Sequence, residues 1–158
     1  MQKLERIHLL SRTDMLKPLR LFVRNVAVKQ NCCKDNVECL VMAVNEACMN
    51  VIQHAYKYRD DEEIIVEFWE DNKELIIKVI DNAQSADTGD IKSRDLDDVR
   101  PGGLGVHIIQ QVMDCVEYKS GDGSADGKGN LLEMRKQITS EKKSENENNA
   151  VVNNAEKE

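Results

Sequence analysis

The chain has 158 residues, 41% of them hydrophobic and 32% charged, and its 22 Lys and Arg against 29 Asp and Glu give a net charge of −7. That suits one compact domain plus tails and excludes collagen-like, low-complexity and wholly disordered chains. An acidic balance also argues against a broad nucleic-acid footprint, no stretch approaches the ~18–20 apolar residues of a membrane span, and Met1-Gln2-Lys3-Leu4-Glu5-Arg6 lacks the apolar run of a signal peptide, so a soluble, unexported cytoplasmic protein is expected.

The chain opens with Leu4-Glu5-Arg6-Ile7-His8-Leu9-Leu10, which reads as a strand. Ser11-Arg12-Thr13-Asp14 then offers side-chain oxygens suited to capping a helix over 15–30. Within it Leu16, Leu19, Phe22, Val23, Val26 and Ala27 recur at helical spacing, and Pro18 sits close enough to the start to be tolerated. After a break over 31–36, Val37, Leu40, Val41, Val44, Cys48, Val51, Ile52 and Ala55 repeat the pattern in a second, largely apolar helix.

Two β-rich runs come next, over 63–69 and 75–80, and Asp71-Asn72-Lys73 between them suits a hairpin turn, so they are predicted to pair antiparallel. Residues 82–103 form a polar loop of the length usual for lids and binding segments. A short helix over 104–115, a strand over 116–119, a glycine-rich turn over 121–129 and a last strand over 131–138 complete the order. Helices segregated from mostly antiparallel strands predict an α/β protein, a two-layer sandwich with the sheet covered on one face. Residues 140–158 are Glu, Lys, Asn and Ser with isolated Ala and Val, and are expected to be a disordered polar tail beyond a domain over 1–139.

Glu46, Asn50 and His54 interrupt the second helix at four-residue spacing, which places them along one side with a drift of about 40° per step. Such a row is either the helix's wet edge or a carboxylate base beside an amide oxygen able to hold Mg²⁺. Asp81, at the end of a strand, is a turn former or an acceptor for a ligand's amino group. Arg100-Pro101-Gly102-Gly103-Leu104-Gly105-Val106 leads into a helix and is a flexible loop or a phosphate cradle built from backbone amides. It fits neither a Walker loop nor a Rossmann fingerprint. The five cysteines, Cys32, Cys33, Cys39, Cys48 and Cys115, form no C-x-x-C pair, which suggests neither a zinc ribbon nor a disulfide framework and fits a reducing cytosol.

Two segments carry a family resemblance. Val44-Asn45-Glu46-Ala47-Cys48-Met49-Asn50-Val51-Ile52-Gln53-His54-Ala55-Tyr56 is similar to the Glu-x-x-x-Asn helix of the GHKL ATPases, and Gly102-Gly103-Leu104-Gly105-Val106-His107 resembles their second glycine motif. Within that superfamily the chain looks like the short anti-sigma factor serine kinases of the RsbW type, over roughly residues 5–138. The resemblance implies a Bergerat-type ATP-binding fold, with Glu46 as general base, Asn50 holding Mg²⁺ and Asp81 recognising the adenine amino group. Gly102, Gly103, Leu104, Gly105 and Val106 would line the phosphates, Asn130 would stand where the family has a Thr near adenine, and the long loop would be the ATP lid. It further implies a sigma factor and a STAS-type anti-anti-sigma protein as partners, a homodimer, and no direct contact with nucleic acid or membrane. Where the family has Asp-x-Gly-x-Gly this chain reads Asp81-Asn82-Ala83-Gln84-Ser85. That departure motivates an alternative, a non-catalytic protein-binding module on the same fold.

Overall fold

The computed structural model of the protein describes residues 1–83, 104–121 and 129–140. Gly102, Gly103, most of the long acidic loop and the polar tail from 141 onward lie outside the described residues. Strand β1, Gln2–Leu10, pairs antiparallel with β2, Glu63–Asp71. β2 returns as β3, Glu74–Asp81, through Asn72 and Lys73, both left-handed at φ 50° and 64°. Two left-handed residues match the twist of paired strands, which is why the predicted hairpin closes here. β4, Cys115–Ser120, and β5, Asn130–Gln137, complete a sheet of order β1-β2-β3-β5-β4 in which every neighbouring pair is antiparallel.

A 3-10 turn, Thr13–Met15, leads into helix α1, Leu16–Lys29. The expected side-chain cap is not made, and the oxygens of Ser11 and Asp14 have other partners. The Asp14 carboxylate accepts from Arg12 Nε at 3.0 Å and Nη2 at 2.6 Å, and the Ser11 hydroxyl donates to the Arg59 carbonyl. The far end of α1 is well closed. Asn31 is left-handed at φ 56°, its N–H reaches the Val28 carbonyl at 3.0 Å, and the Cys32 N–H reaches Ala27 at 3.1 Å. These are the paired bonds that satisfy the last carbonyls of a helix.

Helix α2, Lys34–Asn50, starts inside the expected break and runs into a π-helical turn, Val51–Ala55, instead of remaining an α-helix to its end. Helix α3, Leu104–Val112, stops short of Cys115, which belongs to β4. α1 and α2 pack on each other, and α2 also touches α3, β3 and β5. Ile64, Val66 and Phe68 of β2 alternate with Ile65, Glu67 and Trp69, so one sheet face enters the core with Leu19, Val23, Leu40, Val44 and Met134. Phe22 of α1 meets Phe68 at a ring separation of 5.8 Å.

On the opposite face Trp69 lies under the Lys3 and Lys78 ammonium groups, 5.1 and 5.2 Å away, and its indole N–H donates to Glu67 at 3.0 Å. Side-chain ion pairs such as Lys3 with Glu67 at 2.6 Å finish that surface. No helix among the described residues is long and apolar enough to cross a membrane.

Phe68 is fully buried where α1 meets the sheet. Phe68→Ala should therefore cost about 3–5 kcal/mol, seen in urea unfolding as a lower midpoint with an unchanged slope.

Candidate functional site

Helix α2 spends one flank on the core, through Val37, Leu40, Val44, Ala47 and Cys48. Glu46 and Asn50 fall on the other flank and are half-buried. They meet the first turn of α3. Gly105 is buried and approaches so closely that a methyl there would lie 2.8 Å from Glu46 Oε2 and 3.3 Å from Asn50 Oδ1. A side chain there would push the ends of Glu46 and Asn50 aside, and the glycine motif read from the sequence is brought onto the polar row of α2.

Leu104 opens α3 and Val106, beside Gly105, is half-buried. Backbone N–H groups of this first turn have no partner within the helix and carry its positive dipole end. Next to Glu46, the Asn45 carboxamide accepts from Arg20 Nη1 at 2.8 Å, which ties α1 to the same stretch of α2. His54, the third member of the row, is exposed on the π-helical turn. No cluster of three or more His, Cys, Asp or Glu poised for a metal occurs among the described residues. The oxygens of Glu46 and Asn50 are nonetheless hard donors, the chemistry that suits Mg²⁺ shared with a phosphate chain.

Asp81 ends β3, only 6% exposed, directly opposite Asn130 of β5. Its Oδ1 accepts from Asn130 Nδ2 at 2.8 Å and from the Ala83 N–H at 2.9 Å. Burial pushes the Asp81 carboxyl above its ordinary value, and these two hydrogen bonds offset only part of that. Asn130 Nδ2 also donates to the Ala83 carbonyl at 3.2 Å. The Asn130 amide group is thus turned onto Asp81 and Ala83.

One residue of the site was passed over by sequence reasoning. Tyr56, 1% exposed, donates its hydroxyl proton to the Glu63 carbonyl at 2.6 Å and accepts the Asn82 N–H at 2.8 Å. The available signal was a Tyr placed directly after an apolar helix, because a buried phenol must find a partner. Cys48, by contrast, is an inert core thiol, pushed up to about 12 by burial.

A Glu and an Asn from one helix, a close glycine from the next and a buried carboxylate at a strand end together define an ATPase-type α/β domain. The chain belongs to the histidine kinase-like ATPase domain family, which matches residues 9–136. It is 37% identical over 118 residues to the serine-protein kinase RsbW of Bacillus pumilus (strain SAFR-032), covering 66% of this chain and 71% of that one. It is 31% identical over 121 residues to the serine-protein kinase RsbW of Halalkalibacterium halodurans, covering 72% and 74%.

Among solved structures it resembles the RsbU and RsbW domains of Rv1364c from Mycobacterium tuberculosis, with a TM-score of 0.60 at 14% identity. The match covers 85% of this chain and 33% of that longer one. The histidine kinase domain of a blue-light activated kinase from Erythrobacter litoralis EL346 aligns with a TM-score of 0.52 at 15% identity, over 79% and 60%. At such identities the likeness shows the fold.

Two outcomes are expected at this site. Gly105→Ala leaves the fold intact, because the obstructed atoms are side-chain ends, but displaces the Glu46 carboxylate; a nuclear Overhauser or crystallographic comparison reads that displacement. For Asp81 the folded state holds its proton more tightly than the unfolded chain. The resulting stability is present below the ordinary carboxyl pKa and is lost as pH rises through the folded value. Asp81→Asn stays neutral, so its stability gain over wild type should grow from acid toward neutral pH in denaturant titrations.

Proposed function

We propose that the chain is a Mg²⁺-ATP-dependent protein serine kinase acting as an anti-sigma factor in a partner-switching system. The observation that carries this is the meeting of Glu46 and Asn50 with Gly105, beside the serine-kinase names of relatives that match most of the chain. ATP bound with Mg²⁺ supplies the transferable phosphoryl group, with its charge partly neutralised.

Asn50 Oδ1 holds the ion against the phosphates, and the Asp81 carboxylate accepts from the adenine amino group. Backbone N–H groups of Gly102, Gly103, Leu104, Gly105 and Val106 line the phosphates at the dipole end of α3. Glu46 positions the partner's serine hydroxyl and takes its proton. Asn130 acts at the adenine end by orienting Asp81. The unit over 1–139 is the ATP-binding domain and 140–158 its polar tail. A sigma factor and a STAS-type anti-anti-sigma protein are the partners, the protein acts as a homodimer, and the cytoplasm is its compartment.

The competing reading, a binding module without productive nucleotide use, draws on the glycines missing at Ala83 and Ser85. Ala83 is not among the left-handed residues of the described chain, so a methyl is accommodated there without backbone strain. Ser85 lies outside the described residues.

Calorimetric titration with a non-hydrolysable ATP analogue, with and without Mg²⁺, separates the two readings. Mg²⁺-dependent binding is expected, and no binding at millimolar analogue leaves the module. Glu46→Ala should retain analogue binding and slow phosphorylation of the serine-bearing partner by about 10²–10⁴-fold. Transfer at the wild-type rate would show that the base is another group.

A further inference from the structure

The segment just past Asp81 is held at three points. Its Asn82 N–H donates to the Tyr56 hydroxyl at 2.8 Å, its Ala83 N–H to Asp81 Oδ1 at 2.9 Å, and its Ala83 carbonyl accepts from Asn130 at 3.2 Å. Two of these ties come from the strand ends themselves. The third comes from the far end of the helix that carries Glu46 and Asn50, and it depends on a local irregularity.

The Tyr56 N–H bonds back to Val51 at 2.9 Å, one residue further than an α-helix allows. That wider turn rotates the chain beyond it. Lys57 and Tyr58 then take left-handed backbone at φ 49° and 62°, and the Tyr58 N–H returns to the Ile52 carbonyl at 2.8 Å. Non-glycine residues adopt such angles only where their surroundings impose them. The outcome is that the Tyr56 ring is fully inside, with its hydroxyl between the first residue of β2 and the residue after Asp81.

We infer that Tyr56 is a positioning residue of the nucleotide site, whose hydroxyl fixes the main chain at Asn82 and through it the orientation of the Asp81 carboxylate. The inference rests on the ATP reading above and goes beyond it, since it gives a residue with no ligand contact a share in binding. The strand end that carries Asp81 and the helix that carries Glu46 and Asn50 are then linked through one phenol. Burial keeps that phenol protonated, its pKa pushed up to about 12, so the donor to Glu63 persists at all working pH.

The test is Tyr56→Phe in the full chain, which keeps the ring and removes both hydrogen bonds. Amide exchange of the ligand-free protein, read residue by residue, should quicken at Asn82 and Ala83 while core amides such as those of Val66 and Ile77 are unchanged. Affinity should fall about 2- to 10-fold, the range of one net hydrogen bond, and by the same factor for ADP and for the Mg²⁺-bound triphosphate analogue.

Uniformly faster exchange across the sheet would reduce Tyr56 to a stability role and overturn the inference. So would wild-type affinity in the variant, or a loss confined to the Mg²⁺-bound triphosphate. If the wild-type chain binds neither nucleotide, the ATP reading itself falls, and that result is distinct from a variant that binds as well as wild type.

Discussion

Helix α2 has to serve the core and the site at once, and the division of its surface sets the rest of the molecule. Full burial of Leu40, Ala43, Val44 and Cys48 fixes its rotation against the sheet and α1. With the rotation fixed, Glu46 and Asn50 have one place to go, the flank facing α3. Their polar groups are half-buried there, and a neighbouring helix can approach them without displacing them only if it offers no side chain at the contact. Gly105 meets that condition. The glycine is therefore explained twice, by helix packing and by the need to bring backbone amides next to a carboxylate and an amide oxygen.

At the other end of the site the physics is that of a buried charge. Asp81 has two N–H donors on one oxygen, and hydrogen bonds to an ionised group are worth roughly 1.5–3 kcal/mol each. Its carboxyl is nevertheless raised above the ordinary value, so desolvation exceeds what those donors return. A carboxylate in that condition gains from one more donor, and an exocyclic amino group supplies one. The same balance makes the group a burden on the fold, the usual relation between a functional polar residue and stability.

Much of this was legible in the sequence. The succession of elements along the chain, the hairpin at Asn72-Lys73 and the apolar stripes of α1 and α2 come from period and turn chemistry, which are local. The row of Glu46 and Asn50 was legible for the same reason. The features that escaped were decided by competition between partners distant in sequence. Ser11 was available as a cap until its hydroxyl bonded to Arg59 from across the fold. The π-helical turn at Val51–Ala55 leaves no mark in hydrophobic spacing, because its one fully buried residue, Ile52, continues the apolar stripe of α2. Tyr56 was hidden behind it. The family resemblance places Asn130 near adenine, but its hydrogen bond to Asp81 follows from the long-range pairing of β3 with β5, which sequence period does not report.

The missing glycine at position 83 bears on how the strand end is kept in shape. A glycine there would contribute conformational freedom and no packing. Ala83 instead is 6% exposed, carries hydrogen bonds on both its N–H and its carbonyl, and has no left-handed angle to accommodate. Where the backbone permits it, Ala in place of Gly stabilises by about 0.4–1 kcal/mol by restricting the unfolded chain. The departure from the family pattern at this position is thus compatible with an intact pocket. The ties of this strand end to Tyr56, Asp81 and Asn130 run through main-chain atoms of Asn82 and Ala83, so the alanine methyl leaves them in place while narrowing the conformations open to the unfolded chain.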